Sequence, residues 1–213
     1  AYIGFIPIFH AWFSNSYKNN IFSGYVFGFV YNIISNYWIA MNSGATFFVV
    51  LFSLIFAVIY LSIFWAIVGA ITGTIKSNNV YFMLPFLIVS MEWIRSFGQL
   101  GFAWGNLVLT QMDLLPILQF NDYTGSYIIT LWIISINVIL YYYNFVKRFS
   151  TNILFVLLFI ASIFIGGGWL RMTMKSNEVQ PFSIDIATIQ PNIDPNEKWR
   201  NANKQETFDL SFG

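Results

Sequence analysis

Between Lys18 and Lys76 the sequence contains no Asp, Glu, Lys or Arg, an uncharged run of 57 residues. A single helix could not use such a length, because about 20 apolar residues already cross ~30 Å of hydrocarbon. The segment AMNSGA, residues 40–45, supplies small and polar residues in the middle. Two antiparallel helices joined by a tight turn are therefore expected. Apolar side chains make up 57% of the chain and charged ones 9%, a balance suited to a bilayer rather than to water.

The same criterion draws six membrane segments, at about 2–13, 21–40, 45–71, 80–97, 122–145 and 151–170. The fold expected is a polytopic α-helical membrane protein. Eight of the charged residues precede Leu170 and eleven follow it, which makes that boundary a change of solvent. Lys18, Lys76 and the pair Lys147 and Arg148 fall in connections on one side when the helices alternate. The positive-inside rule makes that side cytoplasmic. The connection 98–121, with Asp113 and no Lys or Arg, and the polar tail 171–213 then lie on the opposite side.

The tail follows other rules. FSIDIATIQ alternates Ile184, Ile186 and Ile189 and stops at Pro191, which predicts a strand. Asp194 and Pro195 mark a turn, and the stretch from Lys198 to Phe212 begins an amphipathic helix. Forty-three residues are too few for a core of their own, so this is expected to be the truncated opening of an α/β domain. The chain opens on Ala1 inside an apolar segment and stops at FDLSFG, which reads as a fragment open at both ends.

Several chemistries find no support. A net charge of +1 without a basic cluster argues against nucleic acid. There is no cysteine, hence no disulfide and no thiol nucleophile in these residues. His10 is the single histidine and has no second ligand for a metal. No cofactor motif is present. Gly24 and Gly28, and Gly69 and Gly73, form GxxxG pairs that suit helix packing in lipid. Asn32 and Asn36 share a helix face as interhelical donors or, alternatively, as substrate contacts.

Glu92 and Arg95 stand three apart near the outer end of their helix. Charges there form an ion pair or bind a lipid headgroup. The segment that follows carries Trp104, Gln111, Pro116 and Gln119 with too few charges for an aqueous loop. It is expected to lie in the outer interface, as a belt anchor or as an acyl-chain groove.

The order of NYWIAMNSG, MEWIRSFGQLGFAWGNLVLTQ, LPILQFNDYTGSY and IATIQPNIDPNEKW resembles the bacterial apolipoprotein N-acyltransferase family along essentially the whole chain. The resemblance implies a multi-pass inner-membrane protein with a nitrilase-like αββα domain on the extracytoplasmic face. It implies a phospholipid as acyl donor and the N-terminal amine of a diacylglyceryl-modified apolipoprotein as acceptor, with no cofactor. A Glu, Lys and Cys triad would pass the acyl chain through a thioester. None of the three maps onto this sequence, and they are expected beyond Gly213, leaving the fragment inactive. Trp199 matches a tryptophan near the family's substrate entrance, or else anchors the domain at the interface; Trp104 and Gln111 match a second segment. Leu109 and Thr110 depart from the family pattern there. A transporter or a membrane scaffold with an incidental tail is the competing reading.

The sidedness is testable with Ala202→Cys in the full-length protein. A membrane-impermeant maleimide should label it while the inner membrane is intact; labelling that requires inner-membrane permeabilisation would reverse the topology.

Overall fold

The computed structural model of the chain describes residues 1–14, 16–41, 45–75, 78–146 and 151–176. All regular structure among them is helical: α1 (Ile6–Ser14), α2 (Tyr17–Asn36), α3 (Phe47–Thr74), α4 (Asn79–Arg95), α5 (Leu115–Leu118), α6 (Asn121–Thr124), α7 (Tyr127–Tyr141) and α8 (Thr151–Ser176). Short 3-10 turns cover Tyr37–Met41 and Leu107–Gln111. A wider π turn, Tyr142–Val146, prolongs α7. The strand expected at 184–190, the helix after it and Trp199 lie outside the described residues.

Two elements, Phe47–Thr74 and Tyr127–Val146, are long and apolar enough to cross a membrane. Three of the other expected segments do not reach that standard alone, each for a local reason. With nine residues, α1 rises only about 14 Å. Asn20, Asn32 and Asn36 on one face of α2 lower its hydropathy. Seventeen residues form α4, which contains Pro85, Glu92 and Arg95. The fourth, α8, has 26 residues, and among the described side chains its apolar stretch runs from Leu158 to Met174.

Two boundaries also differ from the sequence reading. The helix expected over 122–145 is divided, because Gly125 takes φ 69°, a left-handed conformation that a glycine adopts without a Cβ clash. Gly125 closes α6, and α7 restarts two residues later. In the other case, α8 continues through the expected end at Leu170 as far as Ser176.

The closest helix pair is α2 with α3, running antiparallel. Each GxxxG motif faces the partner's backbone. A Cβ on Gly24 would overlap the Trp65 carbonyl, and one on Gly69 would overlap the Asn20 carbonyl. Small residues therefore permit the approach, and dispersion along the two backbones rewards it. Asn32 and Asn36 sit inside this contact. Asn32 Nδ2 donates to the Gly28 carbonyl at 2.7 Å, and Asn36 Nδ2 reaches Asn32 Oδ1 at 3.5 Å.

From this pair the core spreads through α1 to α4 and α7. Phe5, Phe9 and Trp12 of the first segment meet Trp65 of α3 and, across the bundle, Leu84, Ile88, Ile129 and Ile133. Asn137, central in α7, accepts from the Phe5 N–H and donates to the carbonyls of Ala1 and Ile133. At the margin, Phe164 of α8 stacks on Trp132 of α7 at 4.9 Å between ring centroids. Gly168 of α8 lies directly against the Pro116 carbonyl of α5. The outer face of α3 is different: Phe48, Phe52, Phe56, Ile63 and Ile67 are exposed.

The glycine seam predicts the effect of added volume. Gly69→Val should cost about 1–3 kcal/mol or more in reversible unfolding, since the clash is with backbone. Gly166→Ala meets open space inside a helix and should stabilise by about 0.5–1 kcal/mol. Equal stabilities for the two variants would contradict the packing described.

Candidate functional site

The polar residues singled out near the end of α4 converge on one short segment, Gly105 to Leu107. Glu92 and Arg95 are each about 1% exposed. A carboxylate so buried must find donors, because hydrogen bonds to water are gone and nothing apolar replaces them. Glu92 Oε1 accepts from the Leu107 N–H at 2.7 Å, and Oε2 accepts from the Thr130 hydroxyl at 2.7 Å. One side chain of α4 thus joins the following loop to α7.

Arg95 acts on the residue before Leu107. Its Nη2 donates to Asn106 Oδ1 at 2.8 Å, and its carbonyl accepts from the Phe102 N–H at 2.9 Å. Gly105 packs against the flat guanidinium. Nε and Nη1 find no acceptor among the described residues. The ion pair allowed by the three-residue spacing is not made. Both carboxylate oxygens are taken by Leu107 and Thr130, and the only ion pair among the described residues is Arg171 with Asp122. Glu92 and Arg95 still cancel in net charge, which suits a common burial.

The third support comes from α2, where the Tyr31 hydroxyl donates to the Gly105 carbonyl at 3.0 Å. Three side chains from two helices, α4 and α2, therefore hold three consecutive residues, and α7 steadies one of the three through Thr130. Trp104, immediately before them, is 68% exposed and meets Trp38 edge to face at 6.0 Å between centroids. Trp38 itself follows the end of α2 and is exposed.

Gln111 closes the same segment from within. It is 3% exposed, its Oε1 accepts from the Tyr2 hydroxyl at 2.6 Å, and its Nε2 donates to Thr110 Oγ1 at 2.8 Å. Thr110 in turn donates to the Leu107 carbonyl. Of the residues suggested by sequence, Glu92, Arg95 and Gln111 are brought together as buried supports and Trp104 as the exposed element. Trp199 lies outside the described residues.

Tyr31, Asn106 and Thr130 were not anticipated. The signal for Thr130 was partial: a hydroxyl in an apolar helix is a donor for a buried acceptor, and Ser135 of the same helix offered another. Asn106 ends the segment GFAWGN, and nothing in its spacing from Arg95, eleven residues earlier, marks the two as partners.

Chemically, the cluster holds shape rather than moves protons. Glu92 has no free oxygen and no contact with water, so it is placed to brace the loop. No group of His, Cys, Asp or Glu suited to a metal ion occurs among the described residues.

Replacing the brace should loosen the loop selectively. Glu92→Ala orphans the Leu107 N–H and should destabilise by about 2 kcal/mol, with hydrogen exchange at Leu107 about tenfold faster or more. Glu92→Gln keeps a carbonyl for Leu107 and should recover most of that protection. Unchanged exchange in the alanine variant would show that the carboxylate does not hold the loop.

Comparison with known proteins places this arrangement. The family described as "Apolipoprotein N-acyltransferase N-terminal domain" matches residues 1–139. The chain is 33% identical over 129 residues to an apolipoprotein N-acyltransferase of Geobacter metallireducens, covering 58% of this chain and 24% of that protein. It is 26% identical over 128 residues to one of Chlorobaculum tepidum, covering 59% and 24%. The chain thus matches about a quarter of the length of these relatives. No solved structure matches. The matched region contains every element of the braced loop, and the chain belongs to the apolipoprotein N-acyltransferase family through its N-terminal domain.

Proposed function

We propose that the full-length protein transfers an acyl chain from a phospholipid to the N-terminal amine of the S-diacylglyceryl cysteine of a lipoprotein. The family match over residues 1–139 carries this reading. In it, the six apolar segments are membrane helices, and residues 171–213 begin a nitrilase-like domain outside the cytoplasmic membrane. The lipid-exposed character of α3 supports placement in a bilayer: its outer aromatic and aliphatic side chains would be costly in water and are favourable against acyl chains.

The Glu, Lys and Cys of the family triad are assigned to residues beyond Gly213, so residues 1–213 contribute no nucleophile. Their role is positional. An acyl transfer between two membrane-bound partners needs the donor lipid held at a fixed depth and angle, since productive geometry can supply several kcal/mol of the barrier. The Gly105–Leu107 brace supplies a rigid base, and Trp104 with Trp38 forms an aromatic surface at headgroup level. In this reading Trp104 and Trp199 contact lipid substrate, Gln111 sets the loop from behind, and Glu92 and Arg95 support it. Acyl attack by the cysteine thiolate on the lipid ester forms the thioester and releases a lysophospholipid; the lipoprotein amine then takes the acyl group and frees the thiol.

The test uses the full-length protein with a phospholipid labelled in its acyl chain. A hydroxylamine-sensitive acyl-protein should form, and Trp104→Ala should slow its formation about tenfold at limiting lipid, an expected loss of ~1–2 kcal/mol of lipid contact. No labelled thioester, with a relative active in parallel, would refute the acyl-transfer reading. A thioester formed at an unchanged rate in the variant would refute the role of Trp104 alone.

A further inference from the structure

A second polar feature lies at the opposite end of the bundle, where α1 and α3 end and α2 and α4 begin. A cavity of about 520 Å³ opens there between Trp12, Tyr17, Asn20, Gly73, Asn78 and Tyr81. Its described lining contains no Lys, Arg, Asp or Glu. Asn20 is fully buried in its wall. Its Nδ2 donates to the Trp12 carbonyl at 2.8 Å, yet its Oδ1 has no partner among the described residues. A buried acceptor left without a donor asks for one from a ligand or water.

One side of the cavity suits a positively charged donor. The cavity is lined by the last residues of the 28-residue α3, so the negative end of that helix dipole faces it. The rings of Trp12, Tyr17 and Tyr81 line the same space, and an ammonium group held over the face of such a ring is attracted by its π electrons. The same space is also lined by the first turns of the 20-residue α2 and the 17-residue α4, both positive helix ends, with Ser16 at the α2 N-cap making no side-chain cap bond and Lys18 exposed beside it. The antiparallel pairing of α2 and α3 thus sets an attraction for a cation next to an attraction for an anion.

We propose that this cavity binds the headgroup of a zwitterionic phospholipid, its ammonium directed to Asn20 Oδ1 and the end of α3, its phosphate to Lys18 and the start of α2. A lipid is the fitting source because the cavity sits at the terminus of the helix best suited to cross a membrane, the level at which headgroups lie. The site is at the far end from Trp104 and requires nothing of the acyl-transfer chemistry.

Native mass spectrometry of the full-length protein in detergent tests it, with equimolar phosphatidylethanolamine and phosphatidylglycerol of identical chains. Wild type should retain phosphatidylethanolamine about fivefold more, as expected for roughly 1 kcal/mol of ammonium recognition. Asn78→Lys puts a like charge at an exposed position of the cavity wall and should remove most of this preference, and Tyr17→Leu should reduce it. Only the part of the preference lost in these variants belongs to this site; headgroup selection by an acyl-donor site would survive them. Equal retention of the two lipids, or a preference unchanged in both variants, overturns the proposal. Displacement of the retained lipid by millimolar O-phosphoethanolamine would assign the site to a soluble zwitterion and overturn its assignment to lipid. Because no acyl transfer is read, a protein without transferase activity gives the same outcomes.

Discussion

A carboxylate with no access to water governs this structure more than any other single group. Glu92 must be surrounded by donors, and the donors it finds come from two separate parts of the chain, the Leu107 N–H and the Thr130 hydroxyl. An apolar side chain at that position would pack α4 equally well and leave the loop after it unanchored. Satisfying the charge makes the loop part of the bundle. Tyr31 extends the same logic to the Gly105 carbonyl, main chain that would otherwise need water, and Arg95 fixes the Asn106 side chain between them.

Much of the architecture could be read from the sequence because its causes are local. The charge-free run and its AMNSGA break do coincide with the passage from α2 to α3, and each GxxxG pair does face the backbone of the partner helix. What escaped was non-local. The i, i+3 spacing of Glu92 and Arg95 showed a shared helix face, but not that Thr130, 38 residues on, would take the oxygen an ion pair needed. Gly125 looked like an ordinary residue in an apolar segment; only its left-handed backbone reveals the division between α6 and α7.

Gln111 illustrates the same limit at the level of the site. From the sequence it was a polar residue beside a tryptophan and therefore a candidate for substrate contact. In the fold its amide is consumed by Tyr2 and Thr110, so its influence on any ligand passes through the shape of the loop. The midspan amides tell a related story. Asn32 and Asn137 bond to neighbouring main chain rather than face an open passage, which is the arrangement of helix packing.

The length of α8 carries a consequence of its own. Twenty-six helical residues rise about 39 Å, so in the membrane placement proposed above an upright α8 would exceed a hydrocarbon thickness of ~30 Å. Near one end it is pinned, with Gly168 against Pro116 and Arg171 bonded to the Gln119 carbonyl and to Asp122. Leaning about that pinned point is the cheap way to absorb the excess. In that placement, membranes of different thickness should change the inclination of α8 at its Thr151 end first, with the contact to α5 as its fulcrum.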